Sequence, residues 1–422
     1  MSTTLAPRAS VSKAVSIDRS ESNRFYRPEL DALRFLAFML VFCRHVISAF
    51  GLAKKHQAVP GAPMPGAASV AAKVPLATYH LPAVWEVVQG LAQACDFGVC
   101  LFFFLSSFLI TRLLLIERES TGRVAVKDFY IRRALRIWPL YFAFLGLVTL
   151  LSLWIPSIRS TESRILASIV FIANWPIVVH GFAGTPIEPL WSISVEEQFY
   201  LVWPGFARLG RRGIIAVSIL LGAVPVCTLI YFGQHSGTVN SDLWPNSAVQ
   251  CLFFAGGALT AVFGRPENLD WSLSKRALTL LGGFACWMVA SGACHVVRTE
   301  SPAALKLVIG YLFVLLGTFL IFVAFAGAPD SIFPRATLYL GKISYGLYIF
   351  HVLSLALTMK VMFALFEQGR NLSTAALTGV IISAAAVALI VTILCAMASY
   401  QFLEKPFLRL KRRFTLVRSR PA

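Results

Sequence analysis

The sequence predicts an all-α protein: a polytopic transmembrane helical bundle of about ten spans, with the N- and C-termini on the cytoplasmic side. Three observations carry that expectation. Of the 422 residues, 57% are hydrophobic and only 14% charged, with a mean hydropathy of +0.71, where a soluble domain carries about 25% charge. Apolar runs of spanning length recur along the chain, which excludes a soluble enzyme on a single anchor. Basic residues outnumber acidic ones 38 to 20, a net +18. They gather between the apolar runs and in the tail, as in positive-inside topology, so nucleic acid is not implied as a partner.

Taken in order, residues 1–26 form a polar arm of mixed charge, expected to be disordered and cytoplasmic, with no cleavable signal peptide in view. The first span then acts as its own uncleaved signal. Residues 27–410 form the membrane domain, with clear spans at 32–52, 95–116, 137–157, 213–233, 246–263, 276–295, 304–327, 343–365 and 374–402. Two further segments are ambiguous: 164–179 is short and broken by Asn174 and Pro176, and 191–207 carries Glu196 and Glu197. Charge decides between them. If the arm, the 117–136 connection, the 208–212 turn and the tail are all cytoplasmic, the number of crossings is even. Segment 191–207 then crosses, and 164–179 lies at the outer surface or re-enters the membrane. A long Ala-, Pro- and Gly-rich outer loop runs from about 53 to 91, and 411–422 is a basic tail. The eight cysteines show no close paired spacing and read as small core residues, and no metal-ligand motif is present.

The first span, RPELDALRFLAFMLVFCRHV from Arg27 to Val46, carries Arg34 and then, after ten intervening residues, His45. Eleven helical positions make about three turns and roughly 16 Å of rise, so the two lie on nearly one face. Ionisable groups at membrane depth usually mark function, though Arg34 also fits a headgroup anchor. In PLWSISVEEQFYLVWP, Pro189 to Pro204, Glu196 and Glu197 open a helix with Trp191, Ser192 and Tyr200 around them. Adjacent positions diverge by about 100°, so the two acids cannot share one partner. The expected topology puts them in the same outer half as His45, where a carboxylate on one ring nitrogen would make the other a better base.

DFGVCLFFFLSSFLITR, from Asp96, offers Ser106 and Ser107 for packing across helices, without the elbow of a serine hydrolase. KDFYIRRALRIWPLYF places Arg132, Arg133 and Arg136 within about one turn at the inner interface. They suit either a membrane anchor or a cradle for a phosphorylated cytoplasmic ligand. LYLGKISYGLYIFHVLSL puts Ser344, Tyr348 and His351 on related faces. SYQFLEKPFLRLKRR ends the last span at Glu404, Lys405 and Pro406.

As an ordered set, LDALR with its histidine, FGVCLFFFLSSFLI, FYIRRALRIWPLY, WSISVEEQFYLVWP, ISYGLYIFH and SYQFLEKPF resembles the integral-membrane acyltransferase family 3, over roughly residues 25 to 412. The resemblance implies about ten core spans and transfer of an acyl group, often acetyl, from cytoplasmic acyl-CoA to hydroxyls of glycans. Such acceptors include lipopolysaccharide O-antigen, exopolysaccharide, peptidoglycan and some macrolides. It implies His45, Arg34, Glu196 and Glu197 as catalytic and Arg132, Arg133 and Arg136 as the acyl-CoA cradle. Trp191, Ser192, Tyr200, Tyr348 and His351 are then candidates for the acceptor side. Two positions depart from the pattern: Cys100 stands where family members often have Asp, and Ser107 where they have Gly. Fusion members carry a periplasmic hydrolase-like domain, so a soluble envelope partner belongs among the expected partners, with the bilayer, acyl-CoA and a glycan or lipid-linked glycan. No permanently bound cofactor is expected, and the expected location is a bacterial inner (plasma) membrane. The competing expectation is a proton-coupled transporter or flippase using Arg34, His45 and Glu196 or Glu197 as a relay.

Overall fold

In the computed structural model, which describes residues 27–58, 83–234, 243–264, 269–297, 303–366 and 373–415, the chain is helical with no strand among the described residues. The arm 1–26, the middle of the 53–91 loop and residues 416–422 lie outside the described residues.

The chain is arranged around α1, Pro28–Ala58. Pro28 opens it and Glu29 and Asp31 sit in its first turn, where a missing N–H costs nothing and negative charge meets the positive end of the helix dipole. Leu30, Leu33, Ala37 and Val41 are buried in the main apolar cluster. Phe38, Phe42 and Ala49 are buried in a second. With apolar contacts on two sides, this helix is a core element and not a surface one.

Around it run α2 (Ala83–Asp96), α3 (Gly98–Thr121) and α4 (Val126–Leu151), then the short α5 (Glu162–Ile169) and α6 (Asn174–His180). They are followed by α7 (Leu190–Ala207), α8 (Gly210–Gln234), α9 (Ser247–Phe263), α10 (Leu273–Gly292) and α11 (Ala304–Phe325). Next come α12 (Arg335–Lys342), α13 (Ser344–Phe366) and α14 (Thr374–Ser399), a π turn at Tyr400–Glu404 and α15 (Lys405–Lys411). α3 stops at Gly122, whose φ of 74° is the left-handed conformation that lets its N–H reach the Arg118 carbonyl at 2.8 Å.

Seven segments among the described residues are long and apolar enough to cross a membrane: Pro28–Ala49, Gly90–Thr121, Val126–Leu151, Gly210–Gln234, Ala304–Phe325, Ser344–Phe366 and Ala375–Phe414. The other three expected spans are helical too, as α7, α9 and α10, of 18, 17 and 20 residues, but fall short in length or apolarity. The ambiguous 164–179 segment falls on α5 and α6, of eight and seven residues. At about 1.5 Å per residue neither reaches across a hydrocarbon core of about 30 Å.

Small residues set the closest helix crossings, as expected where lipid gives no hydrophobic drive for association. A Cβ on Gly257 of α9 would lie 2.2 Å from the Phe104 carbonyl oxygen of α3. Gly283 of α10 and Gly317 of α11 face each other, each Cβ position falling within 3 Å of the other's carbonyl oxygen. Between the same helices Trp287 Nε1 donates to the Val314 carbonyl at 3.1 Å. Large apolar residues such as Leu220, Leu278, Leu305 and Leu394 point outward.

One end of the bundle is basic. There Arg276 donates to the carbonyls of Ala324, Ala326 and Gly327, Arg211 to Val262 at 2.6 Å, and Arg132 to Phe414 at 2.8 Å. The opposite end is joined by Asn174 to the Pro245 carbonyl at 3.2 Å and Ser291 to Gly90 at 3.0 Å. Residues 411–415, expected as basic tail, are folded against α4 at the basic end.

Replacing Gly257 by Leu should force α3 and α9 apart and destabilise the fold by about 1–3 kcal/mol or more. Thermal unfolding in detergent should show a lower midpoint, while Gly379→Leu, where nothing lies within 4 Å of the added Cβ, should leave it in place.

Candidate active site

Toward the end opposite the basic one, α1, α3, α7 and α13 line a partly open cavity of about 510 Å³, its opening to solvent included. α1 contributes Arg44, His45 and Ser48, and the residues leading into α7 contribute Glu188, Pro189 and Trp191. Asp96, Trp244 and Tyr348 complete the polar and aromatic lining. Tyr348 and Ser192 hydrogen-bond through their hydroxyls at 2.7 Å, and Ser192 also donates to the Pro189 carbonyl at 3.1 Å.

His351, one turn after Tyr348 on α13, is fully buried, and its ring centroid lies 5.1 Å from that of His45. Its Nδ1 is 2.5 Å from the Tyr348 carbonyl oxygen. A carbonyl only accepts, so Nδ1 carries the proton and Nε2 is the bare acceptor nitrogen. Nε2 is buried without a hydrogen-bond partner, which costs about 1–3 kcal/mol in a folded protein.

Deeper in the bundle, Ser192, Glu196 and Tyr200 form one stripe of α7, each four residues after the last. Glu196 accepts from Ser106 at 2.8 Å and from Tyr200 at 3.2 Å. The Arg133 guanidinium lies over the rings of Tyr200 and Phe129, at 5.4 and 5.5 Å, its Nε buried without a hydrogen-bond partner. Arg133 and Arg136 both attract Glu196 electrostatically. Glu197 points elsewhere and accepts from Trp138 Nε1 at 3.2 Å.

At the basic end Arg132 is held by the Glu117 carboxylate at 2.9 Å and the Phe414 carbonyl at 2.8 Å. It lines a second cavity of about 440 Å³ with Arg133, Glu117, Phe129, Lys411 and Thr415. Arg34, at the same end of α1, is bonded to Asp31 at 2.6 Å.

The expected residues thus fall into two clusters and a link. His45, Trp191 and Tyr348 line one cavity, with Ser192 bonded to Tyr348 and His351 against His45 behind them, and Arg132 and Arg133 line the other. Glu196, Tyr200 and the attraction of Arg136 lie between. Arg34 stands apart from His45, about three turns away along α1. The acids that line the cavity of His45 are Asp96 and Glu188, whereas Glu196 and Glu197 bond to Ser106, Tyr200 and Trp138.

Two features were not singled out from the sequence. Arg44 forms an ion pair with Asp96 at 2.9 Å and also hydrogen-bonds Ser48. The signal was there: a second cation beside His45 and an acid opening an otherwise apolar run need each other at membrane depth. The other is Glu188, which accepts from the Ala183 and Gly184 N–H groups and from Arg164 at 3.0 Å, closing the turn before α7. Only its place between Pro186 and Leu190 hinted at a structural acid.

These features define an integral membrane helical bundle with an intramembrane histidine site and a separate arginine cavity at its basic end. The profile of the acyltransferase domain, family 3, matches residues 27–399, and the chain belongs to that family. It is similar to the peptidoglycan O-acetyltransferase OatA of Listeria monocytogenes serovar 1/2a, 28% identical over 320 residues, which cover 69% of this chain and 49% of that protein. It is also similar to the O-acetyltransferase OatA of Staphylococcus aureus strain NCTC 8325, 26% identical over 293 residues, covering 65% and 47%. The chain spans about half the length of these curated relatives. No solved structure matches it.

Burial pushes the Glu188 carboxyl up from 4.5 to about 7, against the opposing pull of the Ala183 and Gly184 N–H groups and Arg164. The folded chain therefore keeps a proton there that the unfolded chain releases above pH 4.5, and the associated stability is lost as pH rises to about 7. Thermal stability should fall across that window by about 1–3 kcal/mol. Glu188→Gln should flatten the dependence in the same unfolding assay.

Proposed function

We propose that this protein is a membrane O-acyltransferase that takes an acyl group, acetyl in the simplest case, from cytoplasmic acyl-CoA. It delivers that group to a hydroxyl of a cell-envelope glycan, with His45 as general base. The observation that carries this is the polar line through the bundle. From the Arg132 and Arg133 cavity it runs through Tyr200, Glu196 and Ser106. Further along the same face of α7, Ser192 bonds Tyr348, which reaches the cavity shared with His45. A donor at one end and an acceptor at the other need such a line, because each polar group at membrane depth must find a partner.

In this proposal α7, α9 and α10 cross the membrane with the seven longer spans. That makes ten crossings and places both termini and the basic end in the cytoplasm of a plasma membrane. Helix ends that pair at the basic end, and those that pair opposite, support the alternation. Segments α5 and α6 then lie along the outer face.

Acyl-CoA is a co-substrate here, not a resident cofactor. Arg132 and Arg133 hold its phosphates, since guanidinium forks match phosphate oxygens. The acyl arm passes inward along α7. At the far cavity a ring nitrogen of His45 takes the proton from the acceptor hydroxyl as its oxygen attacks the thioester carbonyl. The carbonyl oxygen becomes an oxyanion, which the Tyr348 hydroxyl and the Arg44 guanidinium lining that cavity stabilise. Collapse breaks the C–S bond, and the departing thiolate takes the proton back from the His45 imidazolium. His351 orients His45: its bare Nε2 offers an acceptor to the one N–H of the neutral His45 ring, fixing the tautomer whose other nitrogen is the base. The relatives' names make a peptidoglycan-like glycan the first acceptor to try.

His45→Ala at normal membrane levels should lower acetyl transfer by about 10²-fold or more. His351→Leu should fall between it and the parent protein. Free thiol released from acetyl-CoA by the purified protein with candidate glycans measures both, and full activity in His45→Ala would end the proposal. Replacing Arg132 and Arg133 together by Ala should raise the KM for acetyl-CoA; an unchanged KM would make them anchors only.

A further inference from the structure

The family match ends at residue 399, yet the chain beyond it reaches back to the arginine cavity. Pro406 stands at the start of α15, after the π turn, and the helix runs to Lys411. A tight turn at Arg412–Phe414 follows, held by the Thr415 N–H on the Arg412 carbonyl at 3.2 Å and the Thr415 hydroxyl on the Lys411 carbonyl at 2.9 Å. That turn aims the Phe414 carbonyl at Arg132, at 2.8 Å, and brings Lys411 and Thr415 into the lining of the cavity.

The charges of this lining are unequal. Arg132, Arg133 and Lys411 face it, against the single carboxylate of Glu117. Glu117 is already committed: one oxygen accepts from the Ala125 N–H at 2.7 Å and the other holds Arg132. On the Phe414 side Arg132 is held only by a neutral carbonyl. A charge-assisted bond from guanidinium to phosphate is roughly twice as strong as one between neutral groups, so a phosphate oxygen displaces the carbonyl more readily than it displaces the carboxylate.

We propose that residues 411–415 are part of the donor site: Lys411 is its third phosphate-binding cation, and the Phe414 carbonyl holds its place on Arg132 until a phosphate-bearing donor arrives. Donor binding swaps the carbonyl for a phosphate oxygen, frees the Arg412–Thr415 turn and leaves Lys411 beside the ligand. The ligand class is a phosphorylated nucleotide thioester, and the inference rests on the proposed acyl-CoA donor. No bond to carbon changes in this step; one hydrogen-bond acceptor replaces another.

The test uses the full chain in lipid nanodiscs. Lys411→Ala should raise the KM for acetyl-CoA about five- to tenfold, out of proportion to any change in kcat or acceptor KM, and Lys411→Arg should restore it. Ending the chain after Lys411 removes the competing carbonyl and should lower that KM, the opposite sign. In the uncut chain, saturating CoA should speed tryptic cleavage after Arg412 and Arg413 severalfold, whereas pantetheine, which lacks the phosphates, should not. An unchanged KM in Lys411→Ala, or cleavage that CoA slows or leaves alone, overturns the inference. If Arg132→Ala with Arg133→Ala also leaves the KM unchanged, the donor site itself is elsewhere; if that pair raises it, only the role of 411–415 falls.

Discussion

The burial of α1 between two apolar clusters is the constraint on which the other features depend. Leu33, Ala37 and Val41 pack on one cluster and Phe38 and Phe42 on the other. The helix can neither rotate nor slide without exposing one set and overpacking the other. Arg34 and His45 therefore sit at fixed depths, about 16 Å apart along the axis. Each must find its partners where it stands. Asp31 meets the arginine within α1, and His45 opens onto the cavity and the ring of His351.

Membrane depth makes polar contacts inside the bundle few and specific. Ser106, Glu196 and Tyr200 satisfy one another, and Ser192 and Tyr348 do the same. Cation–aromatic contact takes up much of what the Arg133 guanidinium lacks in hydrogen bonds. Among the described residues His351 Nε2, beside the ring of His45, and Arg133 Nε, at the second cavity, are two of the nine buried side-chain atoms left without a hydrogen-bond partner.

Much of this was legible in the sequence. Periodic apolar runs located the helices that became α1, α3, α4, α8, α11, α13 and α14, because a membrane leaves the backbone little choice but helix. Segment 164–179 is two short helices and 191–207 falls within a single helix of 18 residues, a difference in length that agrees with treating the two segments differently. Trp191, Ser192, Tyr348, His351 and His45 were singled out on three different helices and do converge on one region. Two things were harder to see. Two charges at membrane depth hinted that Arg44 and Asp96 each need a partner, but that they pair with one another, 52 positions apart, is set by no local pattern. The reach of Lys411 and Phe414 back to Arg132, 282 positions from Phe414, is a property of how the last helix turns at its π segment.

The sequence by itself determined the class of protein, the helices, the basic end and the family, because hydropathy, charge and short motifs are local properties that a bilayer reads residue by residue. Only the tertiary structure decided which acids share a cavity with His45, with Asp96 and Glu188 lining it while Glu196 and Glu197 bond elsewhere. It alone placed His351 against His45 and the C-terminal turn against Arg132. Those outcomes rest on helix rotation and depth, which are set by packing against neighbours distant in sequence, and no window of sequence contains them.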